Sequence, residues 1–215
     1  MSGPRPILVI NPNSTVEVTE EIAAAVNALP GAAGRFECVT IAESPRTIST
    51  DQDVTEAGAR VADLAATRPD AAAIIIACFS DPGLTEVRHR VRVPVIGIQM
   101  ASVMTAIATG APFGVIALSP ASIPRHMAFY DRLGILHHCA GEVGLSGVSA
   151  LDAGRSDAVY AETLAAGKQL VAQGARSVIP GCAGFSPRRM QLETDLGVPV
   201  IDPVRAAAAM APGLI

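Results

Sequence analysis

Three pairs of segments in this 215-residue chain recur at one nearly constant spacing, and that spacing restricts the fold more than any other feature. PILVINPNST near the start reads like PFGVIALSPAS, placing Val9 and Val115 106 residues apart. ACFSDPGL and PGCAGFSP each put a cysteine behind an apolar run, with Cys78 and Cys182 104 apart. VPVIGI and VPVIDP align Pro94 with Pro199 at an offset of 105. A long period present once means duplicated halves.

Each half alternates strand and helix signals. Ile7 to Ile10 reads as a strand, and Ser14-Thr15-Val16-Glu17 fits a capping box before a helix carrying Val18, Ile22, Val26 and Leu29. Pro30-Gly31 stops it. Strands are expected at Arg35 to Ile41, from Ala71 up to Cys78, and at Val93 to Ile98, with helices at Val54 to Ala66, Gly83 to Arg90 and Gln99 to Thr109. The second half predicts a strand over Leu136 to Val143 and a helix over Asp157 to Gln173 with Leu164, Lys168 and Val171 on related faces, leaving at Gly174. An alanine-rich helix, Pro203 to Met210, crosses back. The fold class is therefore α/β, two similar lobes of parallel sheet flanked by helices and related by a pseudo-twofold axis. The first lobe takes residues 1–98 plus 203–215, the second 99–202, with a site in the cleft between them.

Both cysteines stand where an isoleucine- or valine-rich strand breaks into small residues and proline. In open parallel sheets ligands bind beyond the carboxyl ends of the strands, so these are ligand-site positions. Across a pseudo-twofold axis they become a facing pair. A carbon acid deprotonated on one face and reprotonated on the other needs one basic and one acidic group, and thiolate and thiol supply them. Loop N–H groups and helix starts can serve both the thiolate and an enolate oxygen. The competing reading is two buried structural cysteines, as free cysteine is among the most buried residue types. Cys38 and Cys139, offset by 101, lie within FECVTI and HHCAGEV and are assigned to the core.

Composition removes several classes. Apolar residues make up 50% and charged ones 17%, which excludes disorder. Aromatics at 3% and a formal charge of −4 without a basic cluster argue against nucleic acid. No apolar run approaches the roughly 20 residues of a membrane span, and the short N-terminal run is no signal peptide, so a cytoplasmic location is expected. No G-x-G-x-x-G or G-K-[ST] loop follows a strand, so no nucleotide cofactor is expected. His89, His126, His137 and His138 lack metal-ligand spacing, and His137-His138 would point to opposite faces of a strand. A Cys-His hydrolase would need His89 or His126 near a cysteine; both read as exposed helical histidines.

INPNST, ACFSDPGL, VPVIGI and PGCAGFSP, in this order, resemble the hydantoin racemase branch of the aspartate/glutamate racemase superfamily. The resemblance implies two lobes of similar topology, two-base catalysis without a cofactor, a homo-oligomer, and Cys78 and Cys182 as the acid/base residues. It places Asn13, Ser119 and the loops at Phe79, Ser80, Gly181, Ala183 and Gly184 around the substrate. The amino-acid racemases resemble A-C-N-T and G-C-T-H where this chain has ACFS and GCAG, so the substrate implied is a hydantoin or another cyclic ureide such as allantoin. Maleate isomerase and arylmalonate decarboxylase chemistries belong to the same superfamily. Two cysteines disfavour the decarboxylase, and the lack of basic residues in the loops disfavours a dicarboxylate. A non-catalytic module binding a small ligand between duplicated lobes is the alternative of another class.

Overall fold

A computed structural model describes residues 5–110 and 112–215. The first part of the chain runs β1 (Ile7–Asn11), α1 (Val16–Asn27), β2 (Phe36–Thr40), α2 (Asp51–Ala66), β3 (Ala73–Ile76), α3 (Leu84–Arg90), β4 (Val95–Gly97) and α4 (Ile98–Ala108). The second runs β5 (Phe113–Ala117), α5 (Ile123–Arg132), β6 (Cys139–Gly144), α6 (Ala150–Arg155), α7 (Asp157–Ala172), β7 (Ser177–Gly181), α8 (Arg189–Leu196) and α9 (Pro203–Met210). All strand pairs are parallel, in the orders β2-β1-β3-β4 and β6-β5-β7, and Val200 adds a bridge beside Val178 where a fourth strand would lie. The two sheets thus share one topology.

β1 and β3 are buried on both faces, which is why they read as unbroken apolar runs rather than as alternations. The pleat still sorts their side chains. Ile7, Val9, Ala73 and Ile75 pack with α1, α4 and α9, whereas Leu8, Ile10, Ile74 and Ile76 pack with α2 and α3. The second sheet sends Ile116 and Val178 toward α7 and α8, and Val115 and Ile179 toward Tyr130 of α5 and Val103 and Ala106 of α4. α4 therefore serves both sheets. The alanines of α9 let it lie close against α1 and α4, and Asp202 starts it by accepting from Val204 N at 2.8 Å.

Several expectations are corrected. α1 has no capping box, because the Thr15 hydroxyl donates to Arg46 O at 2.9 Å and Asn13 Oδ1 takes the Thr15 N–H instead. The capping box stands on α2, between Thr50 and Asp53. Leu136–His138 is a 3-10 turn before β6, so His137 and His138 are neighbours with ring centroids 4.1 Å apart, not residues on opposite faces of a strand. α7 buries Tyr160, Thr163, Gly167 and Leu170 rather than the Leu164, Lys168 and Val171 face. Register removes the match between Cys38 and Cys139. Cys38 pairs with Val9, and Val115, the counterpart of Val9, pairs with Glu142. Glu142 thus occupies the Cys38 position of the second half. Both cysteines are partly buried against their cores.

Candidate active site

In each sheet the chain order reverses beside the first strand, between β1 and β3 and between β5 and β7. Loops leaving adjacent strands there turn to opposite faces and open a crevice. Asn11–Asn13 and Cys78–Asp81 leave the first switch point, Leu118–Ser122 and Cys182–Gly184 the second. One cavity with about 470 Å³ of empty space, partly continuous with solvent, draws lining from all four loops, including Asn13, Cys78, Ser122 and Cys182.

Cys78 sits two residues beyond β3, in a turn where Cys78 O accepts from Ser80 N at 2.9 Å and Asp81 N at 3.0 Å. Asp81 adopts a positive φ of 45° and reaches the start of α4, its carboxyl accepting from Gln99 N and Met100 N at 2.9 Å each. Gly97 makes room for it: a Cβ there would lie 2.0 Å from Asp81 Cγ. Burial pushes the Asp81 carboxyl up to about 7, against the pull of these two donors. Burial also pushes the Cys78 thiol far above its ordinary range, the charges of Cys182 and Asp81 adding to the rise and the Arg125 guanidinium opposing it.

Cys182 follows β7 and opens a 3-10 turn, its sulfur accepting from Gly184 N at 3.4 Å. Burial pushes this thiol up to about 11, with the Gly184 donor pulling down and Glu21 pushing up. That the charge of one cysteine is felt by the other follows from their shared cavity.

Asn13 is held as a donor. Its Oδ1 accepts from Thr15 N at 2.9 Å and Asn11 Nδ2 at 3.1 Å, which leaves the Nδ2 amide for the cavity that Asn13 lines. Phe79, Ser80, Gly181 and Ala183 line the same space. Two predicted residues do not. Ser119 repeats Asn13's bond to the residue two ahead, accepting from Ala121 N at 3.2 Å, but it does not line the cavity, where Leu118 and Ser122 stand instead. Gly184 faces α6, pressed so close that a Cβ would lie 1.8 Å from Ala150 O, and its N–H goes to the Cys182 sulfur rather than to a ligand.

His126 overturns its reading as an exposed helical residue. It is 1% exposed, lines the cavity, and places Nε2 3.1 Å from Phe79 O and Nδ1 2.9 Å from Glu142 Oε2. Ser122, His126 and Tyr130 stand four residues apart on one inward face of α5, a helical spacing visible in the sequence. His89 is exposed on α3 as expected. Arg125 also enters the lining, so a cation is present, brought by a helix rather than by the loops; its Nε donates to Ser80 Oγ at 3.1 Å. Thr47 and Ile48, from the loop before α2, roof the site, with Thr47 Oγ1 accepting from Ala150 N at 3.4 Å. Among the described residues no three His, Cys, Asp or Glu side chains cluster as metal ligands. No helix among them is long and apolar enough to cross a membrane.

The profile of the Asp/Glu/Hydantoin racemase family matches residues 7–211. The chain belongs to this family. This racemase is 34% identical to the hydantoin racemase of Rhizobium meliloti, over 97% of its own length and 88% of that protein. It is 30% identical to the hydantoin racemase of Paenarthrobacter aurescens, over 97% and 90%. Allantoin racemase from Pseudomonas fluorescens has the same fold, with a TM-score of 0.88 at 25% identity, covering 97% of this chain and 90% of that one. The protein is thus an isomerase of the racemase type, with a parallel α/β architecture shared by the family.

Proposed function

We propose that this racemase inverts C5 of a 5-substituted hydantoin or related cyclic ureide by two-base catalysis, with Cys78 and Cys182 on opposite faces of the ring. The thiolate of one cysteine takes the C5 proton, and the C–H electron pair passes to the adjacent carbonyl as an enolate. The thiol of the other cysteine then delivers its proton to the opposite face of C5, the carbonyl reforms, and the charge ends on the second sulfur. The cycle balances without a cofactor, each turnover exchanging the roles of the two sulfurs. The observation that carries this reading is a single one: two cysteines from equivalent strand ends line one cavity.

The surrounding groups suit a neutral ring. Asn13, Thr47, Ser80 and Ser122 offer amide and hydroxyl groups for ureide carbonyls and N–H groups. Asn13 Nδ2, fixed as a donor, favours the enolate oxygen over the ground-state carbonyl because donors are worth more where charge develops. His126 acts through the Phe79 carbonyl, holding the turn that carries Cys78. A homo-oligomer and a cytoplasmic location belong to the same proposal; exposed Met190, Leu214 and Ile215 are apolar side chains available for self-association. Following optical rotation of enantiopure 5-methylhydantoin, 5-isopropylhydantoin and allantoin tests the substrate class. Decay of rotation to zero with any of them is expected, and unchanged rotation with all three contradicts the reading.

A further inference from the structure

A second cavity adjoins the first and shares Ser80 and Arg125 with it. It lies between the first turns of α2 and the outer side of α5, with roughly 690 Å³ of empty space that is partly open to solvent, and Asp51, Gln99 and Arg132 also line it. Arg125 bonds Ser80 Oγ through Nε and Asp51 through Nη1, leaving Nη2 without a partner among the described residues. Gln99 is 2% exposed, and its side-chain amide lies toward the Tyr130 hydroxyl on the inner side of α5. The donor left for an acceptor in this cavity is therefore Arg125 Nη2, on a side chain only 20% exposed.

The charge count gives the acceptor's sign. Two guanidinium groups face one carboxylate, a surplus of one positive charge. Asp51 is 86% exposed on its side chain, so its pairing with Arg125 is screened and leaves that cation open to a competitor. A planar guanidinium pairs best with a carboxylate, which it meets through two parallel N–H donors.

We propose that this second cavity receives the substituent on the stereocentre and selects for a carboxylate there, so that the favoured substrates are hydantoins with a short acidic side chain, such as 5-carboxymethylhydantoin. This rests on the racemase reading of the cysteine cavity. Arg125 would contact the substituent at the junction of the two cavities, Arg132 would hold its far end, and Asp51 would set the threshold by competing for Arg125.

The test compares kcat/KM for 5-carboxymethylhydantoin with that for 5-methylhydantoin. The ratio is expected to fall at least fivefold in both Arg125→Gln and Arg132→Gln and to rise in Asp51→Asn; a fall smaller than fivefold in either arginine variant overturns the proposal. Calorimetric titration of 5-carboxymethylhydantoin into wild-type and Arg132→Gln protein reads the pocket without turnover. Binding at least fivefold weaker in the variant supports the carboxylate pocket even if neither hydantoin is racemised, an outcome that sinks the racemase reading alone. Equal affinities, or no binding to the wild-type protein, overturn the pocket itself.

Discussion

His126 Nε2 stands 3.1 Å from the carbonyl oxygen of Phe79, the residue that follows Cys78. A carbonyl can only accept, so Nε2 carries a proton, and the Nδ1 side must be settled with Glu142 Oε2 at 2.9 Å. Glu142 Oε1 accepts from Tyr130 OH at 2.7 Å, and the Glu142 side chain has no solvent exposure. This chain of bonds runs from α5 and β6 to the Cys78 turn.

Removing its middle member should therefore act at a distance. Glu142→Ala leaves His126 Nδ1 and the Tyr130 hydroxyl without their shared partner in the interior and is expected to cost about 3 kcal/mol of stability in urea unfolding, as breaking a buried pair does. Glu142→Gln keeps an acceptor and should cost about half as much. In both variants kcat is expected to fall more than KM rises, because the turn bearing Cys78 loosens. A KM effect with kcat untouched would assign Glu142 to substrate binding.

The backbone contact at Gly184 gives a second expectation. Ala there would put a Cβ 1.8 Å from Ala150 O, a backbone atom that cannot swing aside. Gly184→Ala should destabilise by about 1–3 kcal/mol, the usual range for overpacking, and should shift the N–H donor off the Cys182 sulfur. The midpoint of chemical denaturation measures the first effect and the alkylation rate of Cys182 the second. An unchanged midpoint would show that α6 yields freely.

Thiol ionisation sets the pH dependence. Burial raises Cys182 to about 11 and Cys78 further, so below that range both are thiols and the thiolate fraction grows with pH. The kcat/KM for racemisation is expected to climb from pH 7 through pH 9 without a plateau. Stability follows the opposite sign: thiols held neutral in the folded state favour folding below the ordinary cysteine range of about 8.5, and this contribution is lost as pH rises toward 11. A rate that is flat between pH 7 and 9 would show that the thiols ionise at lower pH in the working enzyme.

Asn13 provides a charge test. Asn13→Asp keeps the acceptor for Thr15 N, just before α1, but replaces the cavity-facing donor by a second acceptor. An enolate oxygen beside it loses a donor and meets repulsion, so kcat is expected to fall about a hundredfold, as at other oxyanion donors. Asn13→Asp should fold like the parent, which circular dichroism checks; full activity would remove Asn13 from the oxygen-binding role.

The legible parts of this molecule were those written as local repeats. Continuous apolar runs and the offset near 105 marked the parallel strands and both cysteines, and the turn motifs marked Asn13, Ser80 and Ala183. What spacing alone hid were residues placed by register. Cys139 stands at nearly the same offset from Cys38, but β6 pairs three residues further on and puts Glu142 there, and that slip also conceals the acid behind His126. Ser119 matched Asn13 in sequence position and even in its bond to the residue two ahead, but lacked the length to reach the cavity. Arg125 reaches the cavity from a helix and not from a strand-end loop, and Ser122, His126 and Tyr130 at intervals of four mark which way α5 faces.

Two-base racemisation requires both sulfurs to act on one carbon. Enantiopure substrate in D₂O, followed by polarimetry and by mass spectrometry for deuterium at C5, reads inversion and exchange together in the parent and in Cys78→Ser and Cys182→Ser. The expected result is deuterium entry with inversion in the parent and at least hundredfold slower inversion in each variant. Inversion at the parent rate in either serine variant would contradict it.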